Sequence, residues 1–271
     1  MLSSGMTPET EHTVDLDADR AIMAFIRASR NAPSLRRVGP FALLISATTK
    51  LRFLNYAIPE DGADPSPAEI DSLIAAFRAS DRMPRLEFLP SVAPALEGRL
   101  VDHGFTVEQR LPLMTCTPGS LRDLTIPPGV QLAEPHDDAT IRTMASLQHD
   151  AFEDPEPVTD NTVAWLRANI DRGGRAVIAT DRADGTLVGA AQTSVPAGGA
   201  TEIGGVAVAR THRRRGIAAA IVAALVRQAF DSGLTIVFLE AAPGADGAYR
   251  NAGFRQTSTS VHISAPDDSD A

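Results

Sequence analysis

One order of elements occurs twice in this chain, and that repeat constrains the fold more than any other feature of its 271 residues. The stretch "IAAFRASDRMPRLEFLP", with "HGF" beyond it, is echoed by "ALVRQAFDSGLTIVFLEAA", with "AGF" beyond it. Each reads as the end of an amphipathic helix, a turn, a buried strand and a helix that stops at a glycine. "LTIVFLEAA" is continuously apolar at its core, as a strand covered on both faces must be.

The flanking segments extend the parallel. In the first half, helix "DADRAIMAFIRASR" precedes strands "PFALLISA" and "LRFLNYAIP". Helix "SPAEIDSLIAAFRAS", strand "RLEFLP", helix "APALEGRLVDHGF" and strand "VEQRLPLMTC" follow. In the second half, helices "DDATIRTMASLQHDAF" and "TDNTVAWLRANIDRGG" lead into strands "RAVIATD" and "LVGAAQTSVP", joined through an Asp184-Gly185 turn. Strand "ATEIGGVAVAR", a helix from Gly216 to Ser232, strand "LTIVFLEAA" and short helix "GADGAYRNAGF" come next, and "RQTSTSVHIS" closes the sheet. Pro118, Gly119, Pro127, Pro128 and Gly129 interrupt the pattern and mark a linker. The expected organisation is a mobile segment 1–14, a first domain 15–118, a linker 119–128, a second domain 129–264 and an acidic tail 265–271.

Composition removes several function classes. Hydrophobic residues at 44% and charged residues at 22% describe a soluble globular protein. A net charge of −9 and the lack of interleaved aromatics argue against nucleic acid as a partner, so any anion site is local. Cys116 is the sole cysteine and has no paired histidine, so it reads as a buried structural thiol. The six histidines share no ligand spacing, and no metal is expected. With neither a signal-peptide pattern nor an apolar run of membrane length, the expected location is the cytoplasm and no membrane contact is foreseen.

Against this background, "RTHRRRGIA" at 210–218 is anomalous. A helix N-terminus carries partial positive charge, yet Arg210, His212, Arg213, Arg214 and Arg215 crowd the one that begins near Gly216. The corresponding helix of the first half starts conventionally, with Ser66, Pro67 and Glu69. A bound diphosphate would reverse the objection, because free amides, dipole and guanidinium groups would all attract it. A solvated basic turn is the bland alternative.

Arg213-Arg214-Arg215-Gly216-Ile217-Ala218 resembles the Arg/Gln-x-x-Gly-x-Gly/Ala signature of the GCN5-related N-acetyltransferase (GNAT) superfamily. Downstream, Ala245, Tyr249, Gly253 and Phe254 resemble its second landmark, and both stand in the expected order. The resemblance covers residues 128–264, and more faintly 15–118 as a degenerate copy. It implies an α/β fold of two GNAT-like domains in tandem, each a twisted, mostly antiparallel sheet flanked by helices. It also implies acetyl-CoA or a related acyl-CoA as co-substrate, with its diphosphate on the amides of residues 213–218 and its arm along 202–208. Val206, Ala207 and Val208 would then line the arm, with the Val206 and Val208 amides bonding to it. Gly204-Gly205 reads either as a bulge with close ligand approach or as ordinary sheet packing.

In the same frame Tyr249 resembles the general acid that protonates the leaving thiolate, against a simple packing role. Glu202 matches a general base, or is only an exposed residue at a strand start. Asp150, Glu153, Asp154 and Glu156 form a loop that either attracts a cationic amine or is merely solvated. Ala242 stands where family members often carry an asparagine, a departure in the "AAPG" loop. The implied activity is acyl transfer to a primary amine of a small molecule or a protein, by a monomer or homodimer. The alternative is a CoA-binding sensor or interaction protein without turnover.

Overall fold

A computed structural model describes residues 14–29, 35–46, 50, 52–153 and 156–266. The N-terminal segment through residue 13, Asp154 of the acidic loop and tail residues 267–271 lie outside the described residues. In the first half, α1 (Leu16–Ser29) leads to β1 (Arg36–Val38), β2 (Phe41–Leu44) and β3 (Tyr56–Pro59). After them come α2 (Pro67–Arg78), β4 (Arg85–Phe88), α3 (Leu96–Asp102) and β5 (Thr106–Cys116). The second half holds β6 (Val130–Ala133), α4 (Asp138–Phe152), α5 (Asp160–Asp171), β7 (Ala176–Asp181) and β8 (Leu187–Thr193). It continues with β9 (Ala200–Val208), α6 (Ile217–Asp231), β10 (Ile236–Glu240), α7 (Asp246–Ala252) and β11 (Arg255–Ser264).

The fold is mixed α/β, with both half-sheets fused into one eleven-stranded sheet ordered β1-β2-β3-β4-β11-β5-β10-β9-β8-β7-β6. The two parallel pairs, β3–β4 and β9–β10, are each bridged by a long crossover helix, α2 and α6. A parallel pair requires such a crossover, so the repeat in the sequence is the repeat of these two units.

Side-chain alternation assigns the helices to faces. From β7, Val177 and Ala179 pack with Ile217 and Ile221 of α6. Ala176 and Ile178 turn the other way, onto Ile141 and Met144 of α4 and Val163 and Leu166 of α5. Helix α1 lies on this second face, where Phe25 meets Phe238 edge-on at 5.2 Å.

One expectation from the sequence fails. The strand "RQTSTSVHIS" does not close the sheet of its own half; β11 lies inside the joined sheet, antiparallel to β4 and β5. Reciprocally, β5 pairs with β10 of the second half. Each half therefore lends its last strand to the seam. The physical reason is the polar face of β11. Ser258, Ser260 and His262 are buried there and need partners, and the first half supplies Asp19 to Ser258 and Arg85 and Gln109 to His262. Nδ1 of His262 faces the guanidinium of Arg85 at 2.9 Å, and its Nε2 faces Glu240 at 3.1 Å. Arginine has no lone pair, so Nδ1 accepts and the imidazole proton sits on Nε2, toward Glu240. Arg85 also donates to Glu108 at 2.9 Å and pairs with Glu87.

Candidate functional site: a split strand pair and an arginine-flanked helix start

The site is built where β9 and β10 part. They pair from Ile236↔Ala200 to Phe238↔Glu202, while β9 runs on to Val208. Ala209 N–H donates to Val188 O on β8, so strand alternation turns the N–H of Val208 to the opposite edge, toward the split. The β8–β9 register slips from Gln192↔Gly204 to Ala190↔Ala207, three steps on β9 against two on β8. The Gly204-Gly205 pair therefore forms a bulge rather than ordinary strand. Gly205 has φ +62, and a Cβ there would collide with Nε2 of Gln148 and lie 2.7 Å from both amide atoms of Gln192. Glycine takes that backbone conformation at no steric cost, whereas any Cβ there would have to push these two amides aside.

The chain leaves β9 through a short 3-10 turn, Arg210–His212. Arg213 is extended, and its Nε donates back to Val208 O at 3.1 Å. Arg214 and Gly216 both take left-handed backbone, φ +61 and +81, so the loop curls its amides into a concave surface. A non-glycine residue in that conformation costs about 1 kcal/mol or more, and such strain concentrates at ligand sites. Gly216 caps α6 without any side-chain hydrogen bond. The first α6 amides are thus left for a guest. At α2, by contrast, the Glu69 carboxylate accepts from Ser66 N–H at 2.9 Å and from Ser66 Oγ at 2.8 Å. Those bonds hold its carboxyl below the usual range. The contrast between the two helix starts is therefore physical.

Val208, Arg213, Arg214, Gly216, Ile217 and Ala218 line a cleft of about 300 Å³, joined by His212, Ala219, Ala248 and Asn251. The small Ala218 and Ala219 keep the helix end open. Arg213, Arg214 and Arg215 make no ion pair among the described residues, whereas Arg210 pairs with Glu153 at 2.8 Å. His212 is held to Asp181 at 3.1 Å. Asp181 has its carboxyl lowered first by the Ala183 backbone N–H and then by His212. The sequence reading missed Ala248 and Asn251 as lining residues, because the i, i+3 spacing that puts them on one face of α7 is not distinctive on so short a helix. A larger cavity of about 500 Å³ lies in the first half, but its charges are already engaged. There Lys50 pairs with Asp81, and Arg82 donates to Asn55, Ser46 and Ser80.

Tyr249 lies on α7, on the α6 side of the sheet, 9% exposed and edge-to-face with Phe254 at 6.2 Å. Burial raises its phenol above the ordinary value. Glu202 is half-buried, in the last register pair before the split. Ile203 packs with α6, whereas Ala200 packs with Phe238 and Phe25, so alternation places Glu202 on the α1 side. Tyr249 and Glu202 lie on opposite faces of the sheet. Cys116 is buried and burial pushes its thiol up, which suits a structural role. Among the described residues no group of three or more His, Cys, Asp or Glu could hold a metal, and no helix is long and apolar enough to cross a membrane. His12 lies outside the described residues.

Residues 141–254 match the model of the acetyltransferase (GNAT) family. They form a GNAT domain. A GCN5-related N-acetyltransferase from Kribbella flavida is 29% identical, with 92% of this chain and 96% of that chain covered and a TM-score of 0.75. One from Sphaerobacter thermophilus shares the fold at 16% identity, 96% coverage of both chains and a TM-score of 0.61. A tandem GNAT protein from the clavulanic acid biosynthesis pathway does so at 15% identity, over 92% of this chain and 89% of that one, with a TM-score of 0.61. No curated protein matches the chain. The GNAT domain places this protein among folds that support acyl-CoA-dependent N-acyl transfer to amine acceptors. The cleft at its arginine loop and the splayed strands fall within the matched segment.

Proposed function

We propose that the protein transfers an acetyl group from acetyl-CoA to a primary amine, using the second half, 129–264, as the catalytic domain. The first half, 15–118, is in this reading a degenerate copy that has kept the fold and lost the anion site, and 119–128 joins the two. The observation that carries the proposal is the uncapped, arginine-flanked start of α6 at the end of a strand that parts from its parallel neighbour.

Bound acetyl-CoA supplies an activated acyl thioester. Arg213, Arg214, Arg215, Gly216, Ile217 and Ala218 hold the diphosphate by backbone amides and charge-assisted bonds. Val206, Ala207 and Val208 line the pantetheine arm in the split, and the Val206 N–H donates to the thioester carbonyl oxygen as negative charge builds there. Glu202, on the α1 side, takes a proton from the acceptor's ammonium group, directly or through water, and the neutral amine then attacks the thioester carbonyl. Tyr249, on the α6 side, delivers its phenolic proton to the departing thiolate. A base on one face and an acid on the other suit an acceptor that enters opposite the donor.

Titration with acetyl-CoA, followed by thiol release across an amine panel, tests the reading. Saturable binding with amine-dependent thiol release supports it. Binding without release from any amine supports the sensor alternative, which the Ala242 departure favours. Absence of binding removes both.

A further inference from the structure

Gln148 is a polar residue on the buried face of α4, beside Ile141, Met144 and Ala145, and is 7% exposed. A glutamine in such a place must find partners for its amide. Its Nε2 donates to Gly205 O at 2.7 Å and to Oε1 of Gln192 at 2.5 Å. A backbone carbonyl can only accept, so the atom facing Gly205 is the amide nitrogen, and Gln192 must turn its oxygen to the second hydrogen. Both hydrogens are spent on the bulge and its neighbour strand. The space that a side chain at position 205 would fill is the space these two amides occupy.

The peptide joining Gly205 to Val206 is trans, as all described peptides are. Its carbonyl and its N–H therefore point in opposite directions. With the carbonyl anchored on Gln148, the N–H of Val206 is aimed away from α4. We infer that Gln148 is a positioning residue that locks this peptide so the Val206 N–H meets the acyl carbonyl oxygen of the donor, an inference that rests on the acyl-CoA reading above. The hydrogen bond to Gly205 O also polarises the same peptide and makes its N–H a stronger donor. A donor fixed in advance stabilises developing charge without having to reorganise. Gln148 itself touches no reacting atom; it acts through one peptide plane.

The test uses the full chain and acetyl-CoA isotopically labelled at its acetyl carbonyl, with the carbonyl stretch read by isotope-edited infrared difference spectroscopy. Bound to the unaltered protein, the stretch should fall below that of free acetyl-CoA. In Gln148→Met most of that lowering should vanish, while affinity for CoA, which has no acyl carbonyl, is unchanged. Gln148→Glu keeps the volume and guards against a Met variant that fails to fold. Its carboxylate cannot donate to Gly205 O, but a buried carboxyl protonates readily, so the lowered stretch should return as pH falls. A side chain that served only packing would show no such rescue. An equally lowered stretch in all three proteins overturns the inference, as does an unaltered protein whose bound stretch equals that of free acetyl-CoA. Failure of the unaltered protein to bind either acetyl-CoA or CoA overturns the acyl-CoA reading itself.

Discussion

Burial keeps the Tyr249 phenol protonated well past neutrality, which is the state an acid needs. Tyr249→Phe should lower turnover by about 10²–10⁴-fold while leaving acetyl-CoA affinity intact, as stopped-assay rates beside a calorimetric titration would show. Any loss of activity through Tyr249 with rising pH should fall above the ordinary phenol value of about 10. Arg213→Ala with Arg215→Ala should do the reverse, weakening acetyl-CoA binding more at low salt than at high, since guanidinium contacts to phosphate are screened. The arginines were legible in the sequence as an anomaly, because they oppose a helix dipole, an objection that the proposed diphosphate would lift. Gln148 and Asn251 were not. A single glutamine in an apolar stripe, or an asparagine on a seven-residue helix, carries no signal until a bulge or a cleft is seen beside it.

The elements themselves were written plainly. Apolar spacing marked α2, α4 and α6, and the Ser66-Pro67-Glu69 start is bonded as its chemistry suggests. What the pattern hid were β1, three residues with two arginines, and the place of β11 in the sheet. The strand itself was legible at 255–264, but hydrophobic periodicity cannot say where a strand docks when its buried face, Ser258, Ser260 and His262, is polar. The bulge of β9 offers a test at this scale. Gly205→Ala forces a left-handed φ on an L-residue and displaces Gln148, so it should cost about 1–3 kcal/mol in denaturant titration. It should also weaken acetyl-CoA binding, which Gly204→Ala, with open space around its Cβ, should do far less.

The whole molecule is held at a seam where β4, β11, β5 and β10 lie side by side. Arg85 is buried there among Glu87, Glu108 and His262, and Arg85→Met would strand those carboxylates at a cost of about 3–5 kcal/mol. Burial alone would raise the Glu108 carboxyl, but the Arg85 bond and charge outweigh it and hold it low. That contribution is complete above the ordinary carboxylate value and is lost as pH falls through the lowered one. The stability gap between the two proteins should therefore narrow below a pH of about 4. Residues 1–118 alone should fail to fold, since β4 and β5 would each lose their β11 pairing; circular dichroism and amide dispersion would reveal it. The repeat made two halves legible, but nothing in the spacing of residues announces which half a strand will join. The exchange also sets a clock on synthesis. β4 leaves the ribosome as residues 85–88 and its neighbour only as residues 255–264. At about 5–20 residues per second that is a wait on the order of ten to thirty seconds. Throughout it, one edge of the nascent first half stands open, and β11 is the strand that shuts it.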